Sequence, residues 1–243
     1  MDYGNCNSSN ASVKRKKKII PLSSFKGGIT TAFIICNGRL TKQLINKFTN
    51  QNLPQKQLTI IAADGASNFL YKNKIIPDFI IGDLDSLSPA AKKYFTAKKV
   101  AIKKIPDQYK NDFEKCLRFV ISKGIKQIAV TGFAGKRFDH TINNLSILKK
   151  YCGKANIIVY DNTYEYFIIK KSTEFTYKPG EVVSLIALTK AEGIKTAGLK
   201  YPLNNETLEF GVREGALNYA TRNTVHIKIN KGYLLLVKKH FGI

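Results

Sequence analysis

From Thr31 to Tyr160 the chain repeats one pattern: a short apolar run, a glycine or acid, then apolar residues at helical spacing. Thr31–Asn37 (TAFIICN), Leu58–Ala63 (LTIIAA), Phe79–Ile81, Val100–Ile105, Gln127–Thr131 (QIAVT) and Ile157–Tyr160 are short runs bounded by turn residues, and they read as buried strands. Between them Leu40, Leu44, Ile45 and Phe48 recur at helical intervals, as do Phe113, Cys116, Leu117, Val120 and Ile121. Further helices are expected over Ala66–Tyr71, from Pro89 with Ser88 as cap, and through Ile142, Leu145, Ile147 and Leu148. The helix from Asn111 or Asp112 should stop at Gly124. Strand and helix in alternation specify parallel strands joined by crossover helices. The first unit is therefore an α/β domain over residues 29–160, with a doubly wound, mostly parallel sheet.

The pattern changes after Tyr160. Glu165–Ile169, Thr173–Tyr177, Val182–Leu188, Thr207–Phe210, Thr224–Ile229 and Tyr233–Val237 are strand-like, separated by Gly, Pro and Asn with no amphipathic helix between them. Residues 161–243 are expected to form a small all-β sandwich domain. Residues 1–28 are rich in Asn, Ser, Lys and Gly and read as a flexible basic leader.

No apolar run approaches the length of a membrane span, and the first residues lack the order of a signal peptide. The four cysteines, Cys6, Cys36, Cys116 and Cys152, are scattered without zinc or CxxC spacing, so reduced thiols in a cytoplasmic protein are expected. The formal charge is +23, but the lysines are dispersed rather than gathered on one motif, except for Lys14–Lys18 in the leader. Solvated lysine is the expected reading, and nucleic-acid or other polyanion binding is the alternative. Either way a positive field speeds capture of an anion such as ATP.

Acids are few, and they fall at predicted strand tips: Asp64, the Asp83/Asp85 pair, Asp107, and Asp139 a few residues past Gly132. Open α/β sheets place their ligands at that edge. Residues i and i+2 of an extended segment point the same way, so Asp83 and Asp85 are expected to converge. Two such carboxylates repel unless a cation joins them, and hard oxygens suit Mg²⁺ beside substrate phosphates; a polar turn is the alternative. Helices starting at Asp112 and after Asp139-His140 would aim N-terminal amides at the same edge, with Lys115 and Arg137 adding charge-assisted contacts. His140, alone at a helix start, reads more simply as a capping group than as a catalyst. There is no GxxxxGK[ST] and no GxGxxG, so neither a P-loop nor a Rossmann fingerprint is present.

In order along the chain, these segments resemble the thiamine pyrophosphokinase family. Ala63-Asp64-Gly65-Ala66-Ser67-Asn68 is similar to its ADGxxN segment, and Pro77 to Ser86 to its PDxIxGDxDS signature. Asp107-Gln108 with Asp112 to Leu117 resembles DQxxTDFxKxL, and Thr131-Gly132 with Gly135 and Arg137 to His140 resembles TGxxGGRxDH. Gly198 to Asn204, with Asn218, resembles the family's β-domain segment. The resemblance implies a homodimer with each active site shared between subunits, and transfer of a pyrophosphoryl group from ATP to the hydroxyl of thiamine, releasing AMP. It implies Mg²⁺ held by Asp83, Asp85 and Asp107, with Asp107 or Asp112 accepting the alcohol proton. It places Asp64, Gly65, Asn68, Lys115, Gly132, Arg137, Asp139, His140 and Asn143 around ATP, and Leu217 and Asn218 against thiamine. The chain departs from the pattern at Asn111 (usually Thr), Tyr109 (often Asp), Lys136 (usually Gly), Leu217 (usually Ser) and Arg213-Glu214. Lys136 calls for a different turn or offers another phosphate contact. The same chemistry on another small acceptor, and a catalytically silent nucleotide-binding protein, are the remaining alternatives.

Overall fold

A computed structural model describes residues 17–18, 31–49 and 58–240. The expected leader lies outside the described residues, apart from the two-residue strand β1 (Lys17–Lys18), which pairs in parallel with β9. The α/β part runs β2 (Thr31–Ile35), α1 (Lys42–Thr49), β3 (Leu58–Ala63), α2 (Ala66–Lys72), β4 (Phe79–Gly82), α3 (Pro89–Ala97), β5 (Ala101–Lys104), α4 (Asp112–Ser122), β6 (Gln127–Thr131), α5 (Phe138–Tyr151) and β7 (Asn156–Tyr160). Then follow β8 (Tyr164–Ile169), β9 (Thr173–Thr176), β10 (Val182–Ala187), β11 (Lys190–Ala197), β12 (Asn204–Glu209), β13 (Gly215–Tyr219), β14 (Thr224–Lys228) and β15 (Leu234–Lys239).

The local signals account for the helix ends. Ser88 Oγ accepts from Ala91 N at 3.3 Å, with Pro89 in the first turn of α3. Asn111 Oδ1 accepts from Glu114 N at 3.0 Å and starts α4. Gly124, at φ +77°, follows the end of α4.

Strands β7-β6-β2-β3-β4-β5 are parallel neighbours. The chain steps outward from β2 to β5, then returns to the other side of β2 with β6. That reversal opens a crevice at the β2/β6 tips. Alternate residues of β2 face opposite ways, as the pleat requires. Phe33 and Ile35 join one core with α1, α2 and α3; Ala32, Ile34 and Cys36 join another with α4 and α5. Helices thus cover both faces, as the alternation predicted.

The antiparallel part is not a separate sheet. Strand β8 pairs with β7 (Val159 with Tyr166, Tyr160 with Glu165), and the sheet runs on through β15, β10 and β13 to ten strands. A second sheet, β1-β9-β14-β11-β12, lies over this extension and completes the sandwich. Strands β11 and β13 were not expected from the sequence. The face expected for α5 also differs: Ile142 is exposed, and Asn144, Ile147, Leu148 and Tyr151 are the buried residues. Cys36 and Cys116 are buried free thiols, pushed up by burial; Cys6 lies outside the described residues. Among the described residues, no helix is long and apolar enough to cross a membrane.

Candidate active site

Two strand tips and one helix start supply the acids. Asp64 follows β3, Asp83 follows β4, and Asp112 opens α4. Carboxylate oxygens of these three lie within 4.8 Å of one another. Gly82 permits the approach: a Cβ there would fall 2.5 Å from Asp64 Cβ and 2.9 Å from Asp112 Oδ1. Asp85 is beside them, but not through an extended segment. Leu84 is left-handed (φ +69°), so the chain turns at Asp83, and Asp83 Oδ1 accepts from Asp85 N at 3.4 Å.

The cluster carries unequal charges. Asp64 is fully buried; its Oδ2 accepts from Ser86 N at 3.0 Å, while Oδ1 has no partner. Burial pushes its carboxyl up to about 6, helped by the charge of Asp112. Burial also raises Asp112, against the relief from Lys115, and the charges of Asp83 and Asp85 add to the rise. Asp83 moves the other way: burial acts to raise it, but the Lys115 ammonium and the Asp85 N–H hold it below the usual range. Lys115 is itself buried, its Nζ 3.3 Å from Asp83 and 3.2 Å from Asp112. Those two carboxylates raise its pKa against the opposing effect of burial. It sits as an internal cation among the acids.

Beside the acids lies a cavity of about 720 Å³, within the range of small-molecule sites. Its walls are the tips of β2, β3, β4 and β6 with the loops before α4 and α5. Gly65, Lys115, Gly132, Arg137, His140 and Asn143 all line it, as do Asp83, Asp85 and Asp112.

Several expected residues do not line this cavity. Asp107 is not in the acid cluster: its carboxylate accepts from Lys110 Nζ at 2.5 Å and from Tyr109 N at 3.0 Å. The Lys110 ammonium holds it below the usual range, and it braces the loop that carries Tyr109, which is 98% exposed at the cavity wall. The carboxylates that come together at one point are those of Asp64, Asp83 and Asp112. Asn68 stands behind the wall: Nδ2 donates to Ser86 O at 2.7 Å and Oδ1 accepts from Ser88 N at 3.0 Å. It clamps the loop that presents Asp83 and Asp85. Asp139 pairs with Arg137 at 2.5 Å, both exposed, and does not line the cavity. Asn218 is buried, with Oδ1 accepting from Tyr201 N and Nδ2 donating to Tyr201 O.

The sequence reading missed Asn37 and Asn144. Asn37 ends the first strand run just as the acids end theirs, a signal that could have found it. Asn144 Nδ2 donates to Phe133 O at 2.8 Å, and its Oδ1 accepts from Asn111 Nδ2 at 2.8 Å, joining α5 to two loops of the site. A polar residue on the helical face otherwise built of Ile147 and Leu148 is visible only once α5 is placed.

Residues 50–160 match the family model for "Thiamin pyrophosphokinase, catalytic domain", and residues 167–234 match "Thiamin pyrophosphokinase, vitamin B1 binding domain". The chain belongs to the thiamine pyrophosphokinase family. Like other thiamine pyrophosphokinases it is a diphosphotransferase. It is 26% identical over 239 residues to thiamin pyrophosphokinase 1 of Caenorhabditis elegans, covering 91% of this chain and 95% of that one. The yeast thiamin pyrophosphokinase structure superposes with TM-score 0.80 at 21% identity, covering 97% of this chain and 94% of that one. The Bacillus subtilis enzyme gives TM-score 0.74 at 21% identity, over 86% and 99%. At that identity the structures speak for the fold, an α/β domain followed by an antiparallel sandwich. In this thiamine pyrophosphokinase fold the two residues expected against thiamine, Leu217 and Asn218, lie on β13 and do not line the cavity of their own chain.

Proposed function

We propose that the chain transfers the pyrophosphoryl group of ATP to the hydroxyl of thiamine, giving thiamine diphosphate and AMP. The observation that carries this reading is the trio Asp64, Asp83 and Asp112 at the sheet tips, opening on a cavity with basic walls. Three carboxylates this close, one of them buried with an unpartnered oxygen, match a small hard cation, and Mg²⁺ is the expected one. Asp64, Asp83 and Asp112 would hold it, with Asp85 adjacent. When bound, it supplies offsetting charge to the phosphate oxygens as the β-phosphorus is attacked.

The chain's own residues do the positioning. The backbone at Gly65 and Gly132 lets the nucleotide approach the sheet edge, and Arg137, His140 and Asn143 surround it. Lys115 holds Asp83 and Asp112 in place. Of the two candidates for the alcohol proton, Asp112 faces the cavity with a raised pKa, whereas Asp107 is tied to Lys110.

Residues 29–160 would carry the ATP site and 161–243 the thiamine-binding and dimerisation surface, in a cytoplasmic homodimer. Leu217, Tyr201 and Tyr219 stand exposed on or beside β13, an edge strand, away from their own cavity. That placement favours an active site completed by a second subunit. Thiamine is cationic, and the acid cluster gives it a local negative field in a chain of net charge +23.

The deciding experiment incubates purified protein with Mg-ATP and thiamine and quantifies AMP and thiamine diphosphate. Equal amounts of both are expected. ADP in place of AMP would overturn the mechanism, and no product despite ATP binding would point to another acceptor. Mixing an Asp83→Asn variant with a Leu217→Asp variant should restore part of the activity if the site is shared.

A further inference from the structure

Five ionisable basic side chains line the cavity: Lys110, Lys115, Lys136, Arg137 and His140. Three are matched by carboxylates. Lys110 pairs with Asp107, Lys115 with Asp83 and Asp112, and Arg137 with Asp139. Lys136 is different. Its Nζ donates to a neutral acceptor, Asn37 Oδ1, at 2.7 Å, and no carboxylate among the described residues pairs with it. An amide oxygen offers a dipole but no charge, so the ammonium keeps its full positive charge at the cavity wall.

The amine is held in a defined place. Asn37 ends β2 and Lys136 lies in the loop after β6, so their contact spans the crevice where the strand order reverses. The two loops are joined further by Gly38 N to Gly132 O and Arg39 N to Ala134 O, both 2.7 Å. From the other side Asn37 is pressed against Gly65: a Cβ there would lie 2.1 Å from Asn37 Nδ2. Asn37 therefore has little freedom, and it fixes the ammonium beside the acid cluster's cavity.

We propose that Lys136 is a polyphosphate-binding residue of this chain, held in readiness by Asn37. The proposal rests on the reading that the cavity takes a nucleoside triphosphate. A phosphate oxygen would compete with the Asn37 amide for the ammonium because it carries a full negative charge where the amide offers only a dipole. The competing role is a purely structural brace between the two loops.

Charge and brace can be separated. Lys136→Gln keeps a hydrogen-bond donor for Asn37 and loses the charge; Lys136→Arg keeps the charge. Binding of ATP, of inorganic tripolyphosphate and of thiamine would be measured by calorimetry on the full chain at low and high salt, with melting temperature as the folding control. Lys136→Gln should weaken ATP and tripolyphosphate about tenfold at low salt, with a smaller salt dependence than the parent. Lys136→Arg should bind both within about twofold of the parent, and thiamine binding should not move. Asn37→Asp, which sets a carboxylate against the ammonium, should weaken both anions as Lys136→Gln does. Unchanged tripolyphosphate binding in Lys136→Gln, or an equal loss at high salt, would overturn the proposal. Failure of the parent to bind ATP while it still binds tripolyphosphate through Lys136 would count against the nucleotide reading and leave this residue's role intact.

Discussion

Asp64 concentrates the electrostatic tension of the site: a buried carboxyl with one unpartnered oxygen and a pKa pushed up to about 6. In the unfolded chain the same group titrates near the ordinary aspartate value of about 3.9. Between those values the folded state holds the extra proton, so this group's contribution to stability is lost as pH rises through about 6. Metal-free protein should therefore melt lower at neutral pH than at mildly acidic pH, and saturating Mg²⁺ should remove most of that difference; calorimetry across pH with and without the ion checks it. Asp83→Asn and Asp85→Asn should each lower turnover by about a hundredfold or more while circular dichroism stays unchanged. Full activity in Asp83→Asn at saturating Mg²⁺ would refute the cation site. Much of this was legible in the sequence, because strand-tip acids in a basic chain are conspicuous. Their grouping was not. Asp112 reaches the cluster from a helix start, and Asp107 is removed from it by Lys110, one turn further on.

Elements defined by local chemistry were the readable ones. Ser88-Pro89, Asn111 and Gly124 mark helix ends through contacts within a few residues, and the helices begin and end there. Strand β11 was hidden because its partners set its form: Lys190–Ala197 is largely polar, and it is held between β12 and β14 with register shifts at Ala191 and Ile194. Strand β13 likewise contains the left-handed Leu217, whose N–H is taken by Ser184 Oγ at 3.0 Å where the β10 register shifts. The start of α4 joins both kinds of information. Asn111 caps the helix locally and also donates to Asn144 on α5, so it fixes Asp112 relative to the loop after β6. Asn111→Ala should cost about 1–2 kcal/mol of stability and lower turnover. Asn111→Thr should recover the cap's share of the stability and less of the turnover, since Thr cannot reproduce the amide bond to Asn144. Denaturant melts paired with the AMP assay separate the two effects.

At the scale of the molecule, the seam between the two halves is built from backbone pairing and one continuous core. Tyr160, at the end of β7, is almost wholly buried and pairs in register with Glu165 of β8. Its ring meets Phe48 of α1 at 5.1 Å, and Phe48 stacks on Phe33 of β2 at 4.3 Å. The same apolar cluster extends through Phe167 and Phe175 to Leu236, so the α/β layer and the sandwich bury one core between them. Halves that share a sheet and a core cannot expose one without stripping the other, which predicts a single cooperative transition. Far-UV and near-UV signals should melt together, and the calorimetric and van't Hoff enthalpies should agree. Tyr160→Ala removes a large side chain from that seam and should cost about 3–5 kcal/mol. If the halves are coupled as described, the variant still melts in one transition at lower temperature. Two resolved transitions, with only the second half destabilised, would show that the seam is an interface between independently folding units.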